Sequence, residues 1–271
     1  MDISKHLTAL LVLVAFCSLS GSLMAQHTYP ADKENPPGME DFFQVKETFR
    51  YEVKYGFLKL GWVNVELLSD TLYQDQERKH ILTEIESNSK IPFMGKELDR
   101  LHSLFYVNDE GLPVESKYWK DNIDEDEMNE IQYWFDRDLG KVYYKEEDGS
   151  RDTLDLEDPA TSGHLIFYFS RMYAGTDEDF KLPVYVTKKK GYIYAENSPQ
   201  LEDRNYEPFD ETIQAYKLVG STENIEGPFG FSGDFRAWFL NDDLRIPLEA
   251  RVKVLWGNVK VKLIKYTRQD L

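Results

Sequence analysis

The stretch WFLNDDLRIP, residues 238–247, sets Asn241, Asp242 and Asp243 beside Arg245 and Pro247. Carboxylates work as an acid–base pair or bind a cation only when they converge on one atom. On a strand, the adjacent Asp242 and Asp243 point to opposite faces. The composition is instead that of a turn, where Asn241 or Asp242 accepts backbone N–H bonds and Arg245 pairs with either aspartate. A second acidic run, DNIDEDE at 121–127, lacks the glycine that an EF-hand calcium loop needs at its sixth position. It is expected to be a solvated hairpin loop.

Nor does the rest of the chain supply catalytic spacing. His27, His80, His102 and His164 form no HExxH or other short ligand pattern, so no metal site is expected and each is read as a surface or packed histidine. Ser162 and His164 lie two residues apart, on different faces of a helix, and no GxSxG elbow surrounds the serine. Neither a Walker loop nor a dinucleotide fingerprint occurs, so no cofactor is expected. No catalytic residue is assigned.

The elements that must position any site are mostly strands. Phe49, Tyr51, Val53 and Tyr55 alternate with Arg50, Glu52 and Lys54, the period of a half-buried strand. Val63, Val65 and Leu67 repeat it after GFLKLG, whose two glycines predict a tight reversal. Val252 and Val254, then Val259, Val261 and Leu263, flank a predicted hairpin at Trp256–Gly257–Asn258. One segment departs from the period: after Asp158–Pro159, Leu165, Phe169 and Met172 fall at helical spacing, predicting a helix over 160–173 closed by Gly175. The fold class is therefore mainly β: a strongly curved antiparallel sheet or barrel-like architecture with one central helix, against a sheet face or plugging an open end.

Residues 1–25 combine Lys5 and His6, an apolar run broken at Ser18–Ser22, and small residues before Ala25–Gln26. This is the pattern of a signal peptide, and the run is shorter than the ~20 residues of a membrane span. The only cysteine, Cys17, lies inside it, and Phe16 stands where lipid attachment wants a small residue. Cleavage at Ala25 leaves no thiol chemistry, and no transmembrane span is expected in the mature protein. Residues 26–44 are rich in Pro and polar groups and are expected to form an exposed leader, with 45–271 a single β domain. The net charge of −17 argues against nucleic-acid binding. The 17 Tyr, 16 Phe and 5 Trp fill a β core or line a groove on a curved sheet.

Three stretches resemble one family. ETFRYEVKYGFLKLGWVNVELL, with Gly61, is similar to the opening of the exported bacterial proteins grouped as domain of unknown function 3108. DPATSGHLIFYFSRMY resembles that family's helix, placing Asp158, Ser162 and Arg171 on its motif. FRAWFLNDDLRIPLEARVKVLWGNVKVKL resembles its closing segment, placing Trp238, Asp243, Arg245, Pro247 and Gly257. The likeness spans most of 48–267 and implies an exported envelope protein of mostly β fold, in the periplasm or at the outer envelope. It implies no activity. The expected function is a non-catalytic binding or assembly module for lipid, glycan or another envelope protein. The alternatives are a carboxylate-dependent hydrolase of envelope polymers, which needs two or more of Asp158, Asp243 and a histidine to converge in one cleft, and a purely structural envelope component.

Overall fold

Alternation of side chains carries the chain into a single antiparallel sheet. The computed structural model describes residues 35–91, 97–122, 131–146, 148–225, 233–254 and 257–271. After a short helix, α1 (Met39–Phe43), come β1 (Val45–Tyr55), β2 (Leu58–Tyr73), β3 (Gln76–Ser87), β4 (Leu98–Val107) and β5 (Pro113–Asn122). Then follow β6 (Ile131–Asp136), β7 (Lys141–Lys145), β8 (Arg151–Asp155) and the helix α2 (Ile166–Tyr173). The chain closes with β9 (Phe180–Val186), β10 (Lys189–Arg204), β11 (Ile213–Glu223), β12 (Phe235–Leu240), β13 (Pro247–Val254) and β14 (Gly257–Asp270).

The 14 strands run in the order β8-β7-β6-β5-β4-β3-β2-β1-β14-β13-β12-β11-β10-β9. Neighbours are consecutive hairpins except at β1–β14, where the two ends of the domain pair along eleven positions, from Val45↔Asp270 to Tyr55↔Val259. The sheet is barrel-like but not closed, with β8 and β9 as its edges. Edge β9 carries Pro183 and adjoins the lysines 188–190, which discourage pairing with another chain.

A thread of chain joins the two flanks instead. Leu156 N donates to Gly140 O at 3.0 Å, Glu115 N to Ala160 O at 3.3 Å, Thr161 N to Pro183 O at 3.3 Å and Tyr185 N to Thr161 O at 2.8 Å. Residues 160–161 thus give their backbone groups to β5 and β9, and the Thr161 hydroxyl accepts from Gly163 N and Leu165 N. This corrects the predicted helix at 160–173: only 166–173 is helical, because a backbone bonded to neighbouring strands is unavailable for an i to i−4 ladder.

Two further expectations change. The leader read as exposed over 26–44 ends in α1, whose Met39 and Phe42 are each 2% exposed. Phe42 packs near Tyr168 of α2 at 5.4 Å, so apolar burial outweighs the polar composition around it. Residues 1–34, with Cys17 and His27, lie outside the described residues, as do most of the 121–127 acidic run and Trp256. The second glycine of GFLKLG, Gly61, is not a turn residue. It sits inside β2 opposite Val53, and a Cβ there would meet the Glu86 carbonyl oxygen at 2.1 Å. Glycine here permits close approach of β2 and β3. Gly61→Ala is expected to cost roughly 1–3 kcal/mol, read as a lower urea midpoint at unchanged m value. A wild-type midpoint would show that the two strands are not held this close.

Candidate functional site

Phe49, Tyr51 and Val53 face inward from β1, and Phe49 meets α2 at one end of the curved sheet. Phe167 of α2 packs edge-on against Phe49 at 5.0 Å, and Tyr168 lies 5.4 Å from Phe105 of β4. The helix therefore fills the end remote from the β1–β2 turn.

A buried polar cluster fixes α2 there. Arg171 is fully buried; its Nε donates to Leu244 O at 2.8 Å and its Nη2 to Glu47 Oε1 at 3.0 Å. Tyr266 donates to the same Glu47 oxygen at 2.7 Å, and the Phe42 ring lies 4.2 Å from the guanidinium. In return Arg245, at φ +51°, donates from Nε to Ala174 O at 3.2 Å and from Nη1 to Asp242 O. Asp242 Oδ1 accepts from Ile246 N at 3.1 Å, whereas Oδ2 has no partner, and burial pushes its carboxyl up to about 7. Asp243 turns away to form a two-pronged pair with Arg268 at 2.8 and 3.0 Å. The NDDLR turn thus latches the helix end to the last strands. Arg171 pairs with Glu47, and Arg245 donates to the main-chain oxygens of Ala174 and Asp242.

Above α2 the sheet encloses a cavity of about 680 Å³. Its walls include Val53, Ile85, Leu101, Tyr133, Val184 and Ile193, and its floor is Ser162, Gly163, His164 and Ile166. The other end meets the strand ends at Gly61, Ser87, Lys120, Glu146, Thr187 and Thr222, which makes it the mouth. The size and apolar lining are those of a small-ligand pocket.

Under the floor lies Glu115, fully buried. It accepts from Ser162 N, from Ser162 Oγ at 3.0 and 2.9 Å, and from the Ser103 and Thr161 side chains. Burial outweighs these bonds and raises its carboxyl to about 7. His164 Nδ1 is 2.8 Å from Ser103 Oγ, and burial lowers the imidazole to about 3, so the ring is neutral. With Ser103 donating to Glu115, His164 Nδ1–H is the donor to Ser103 and Nε2 is left a bare acceptor. Serine, not histidine, therefore stands between acid and base, which is the wrong order for nucleophile activation.

A second hollow of about 780 Å³, lined by Tyr73, Arg78, Tyr106, Trp134, Asp136 and Arg137, is polar. Arg78 donates to Ser116 at 2.9 Å, and Arg137 Nη1 donates to Glu115 O at 2.6 Å with its Nη2 3.0 Å from Asp158, while Arg137 Nε has no hydrogen-bond partner. On strands β3–β5, His80 Nε2 lies 3.0 Å from His102 Nδ1, and His102 Nε2 lies 3.4 Å from Asp121. Burial lowers both rings, His80 to about 4. Among the described residues no group of three or more His, Asp or Glu is placed to hold a metal ion.

The residues singled out in the sequence are thus dispersed. Gly61 and Ser162 border the cavity, and Asp158 pairs with Arg137. Arg171, Arg245 and Asp243 build the latch, and Pro247 O accepts from Tyr51 at 3.0 Å beside it. Trp238 donates to Glu202 at 2.8 Å and lies between Arg204 and Arg251, 4.2 and 4.9 Å from its ring. Gly257, at φ +126°, opens β14. Asp158, Asp243, His102 and His164 bond separate partners, Arg137, Arg268, Asp121 and Ser103, so the convergence the hydrolase alternative needs is not seen among them. Sequence reasoning missed Glu47, Ser103 and Glu115; only Glu47 left a signal, a charge on the inward phase of β1.

No family model matches the chain, and no curated protein matches it. Among solved structures, it is similar to a β-barrel-like protein of domain of unknown function DUF1849 from Brucella abortus. That match has 13% identity and TM-score 0.52, covering 83% of this chain and 98% of the other. It shows a shared fold. Weaker likenesses are to a protein described as exported, with a YmcC-like fold, from Bacteroides fragilis (10% identity, TM-score 0.30, 88% and 98% covered) and to LprF from Mycobacterium bovis (8%, 0.20, 82% and 85%).

Proposed function

We propose that this protein is an exported, non-catalytic binding module that holds one lipid-like apolar ligand inside its curved sheet. One observation carries the proposal: a cavity of about 680 Å³ with aliphatic and aromatic walls, open at the hairpin ends and blind at α2. A purely structural component would fill that space, since an empty apolar hollow forfeits packing. Export rests on the signal-peptide pattern of residues 1–25, and kinship with the domain of unknown function 3108 family rests on the motif residues named above. No helix among the described residues is long and apolar enough to cross a membrane.

Titration with an environment-sensitive apolar fluorophore is expected to saturate at one site per chain. Leu101→Trp, which narrows the cavity from β4, is expected to weaken that signal while circular dichroism stays that of the parent. Native mass spectrometry after exposure to a lipid extract is expected to show a bound species that Leu101→Trp holds less of. Absence of saturable binding, or equal binding by the narrowed variant, overturns the proposal in favour of a structural role.

A further inference from the structure

Charge is distributed unevenly along the cavity. Among the described residues at the mouth, Glu97, Asp99 and Glu146 face a single cation, Lys120, whose Nζ is 3.2 Å from Asp99 Oδ2. Glu146 accepts from the Tyr133 hydroxyl at 2.6 Å, which keeps its carboxylate at the lip. Glu86 also borders the mouth, and its side chain pairs with Arg50 of β1 at 3.6 Å. No other Lys or Arg lines the cavity among the described residues. Deeper in, the first ionisable group behind the floor is again a carboxylate, Glu115, and the His164 imidazole is neutral.

An anionic headgroup would therefore meet like charge at the mouth and no compensating cation below it. Burying an uncompensated charge is unfavourable, and so is placing it beside others of its own sign. A cation at the lip would meet Glu97, Asp99 and Glu146 while its chain filled the space between the apolar walls. A neutral polar end falls between. Resting on the binding role proposed above, we infer that the cavity selects amphiphiles by headgroup charge, in the order cationic, neutral, anionic, and so excludes ionised fatty acids.

Three probes of equal saturated chain length test the order: an alkyltrimethylammonium, a 1-alkanol and an alkanoate, each below its micellar concentration at mildly alkaline pH. Fluorophore displacement is expected to give the ammonium at least about tenfold tighter binding than the alkanoate, with the alkanol between. The gap is expected to narrow at high salt, because the mouth is open to solvent. It is also expected to narrow in Glu97→Lys/Asp99→Asn. Equal affinities, or an alkanoate that binds tightest, overturn the charge rule and leave the binding role standing. Failure of all three probes to displace the fluorophore overturns both together.

Discussion

Replacing Arg171 with methionine is expected to lower the unfolding free energy by about 3–5 kcal/mol. Methionine recovers much of the packing against Phe42, but it leaves Glu47 with only the Tyr266 hydroxyl to stabilise a carboxylate 7% exposed. It also orphans the Leu244 carbonyl. The cost is chiefly that of an uncompensated buried charge, not the worth of the ion pair. That distinction can be measured. In Arg171→Met/Glu47→Gln the charge is gone and the amide oxygen that replaces the carboxylate still accepts from Tyr266, so the double variant is expected to be more stable than Arg171→Met alone. Urea denaturation of the wild type, both single variants and the double variant gives the coupling directly. A double variant whose loss equals the sum of the singles would show that Glu47 and Arg171 are not coupled. Because the latch holds α2 under the cavity, Arg171→Met is also expected to weaken fluorophore binding below its own unfolding midpoint.

How much of this could be read from the residues depends on how far apart in the chain the partners lie. Strands β1, β13 and β14 were legible because their inward residues, Phe49 to Val53 and Val252 to Leu263, keep period two without interruption. Glu115 was not legible. A bulge at Ser116 breaks the pairing of β5 with β4 between Leu104 and Phe105, so the alternation that places Tyr118 inside does not carry back to Glu115. The latch was half legible. Asp242 accepting from Ile246 N is local turn chemistry and follows from residue type, whereas the bonds from Arg171 to Glu47 and Leu244 span 124 and 73 positions. Composition and period carry nothing about such pairs. Helix α2 was placed but overextended, since the bonds that keep 160–161 extended come from β5 and β9. The cavity is a property of the sheet's curvature and of the strand order, neither of which any single stretch encodes.

The two carboxyls raised by burial, Asp242 and Glu115, are expected to respond unequally to amide substitution. Each is pushed up to about 7, against about 4 in an unfolded chain, so the folded protein holds those protons more tightly. The associated stability is fully present below about pH 4 and is lost as pH rises through about 7. His80, His102 and His164, all lowered by burial, pull the other way below about pH 6.5, so the signature lies in differences between variants. Asp242→Asn keeps the Oδ1 acceptor for Ile246 N and removes the charge whose second oxygen has no partner. It is expected to gain on the wild type by about 2 kcal/mol between about pH 5 and about pH 8, ending more stable. Glu115→Gln also stops titrating, but its amide N–H₂ faces four donors, the Ser162 N–H and the hydroxyls of Ser162, Ser103 and Thr161. At least one is left unsatisfied in the interior, at a cost of about 1–3 kcal/mol. At mildly alkaline pH the first variant should therefore lie above the wild type and the second below the first. The same slope in wild type and Asp242→Asn would show that Asp242 ionises in the folded chain as it does in the unfolded one. A Glu115→Gln protein that gains as much as Asp242→Asn would mean that the donors around Glu115 find other partners.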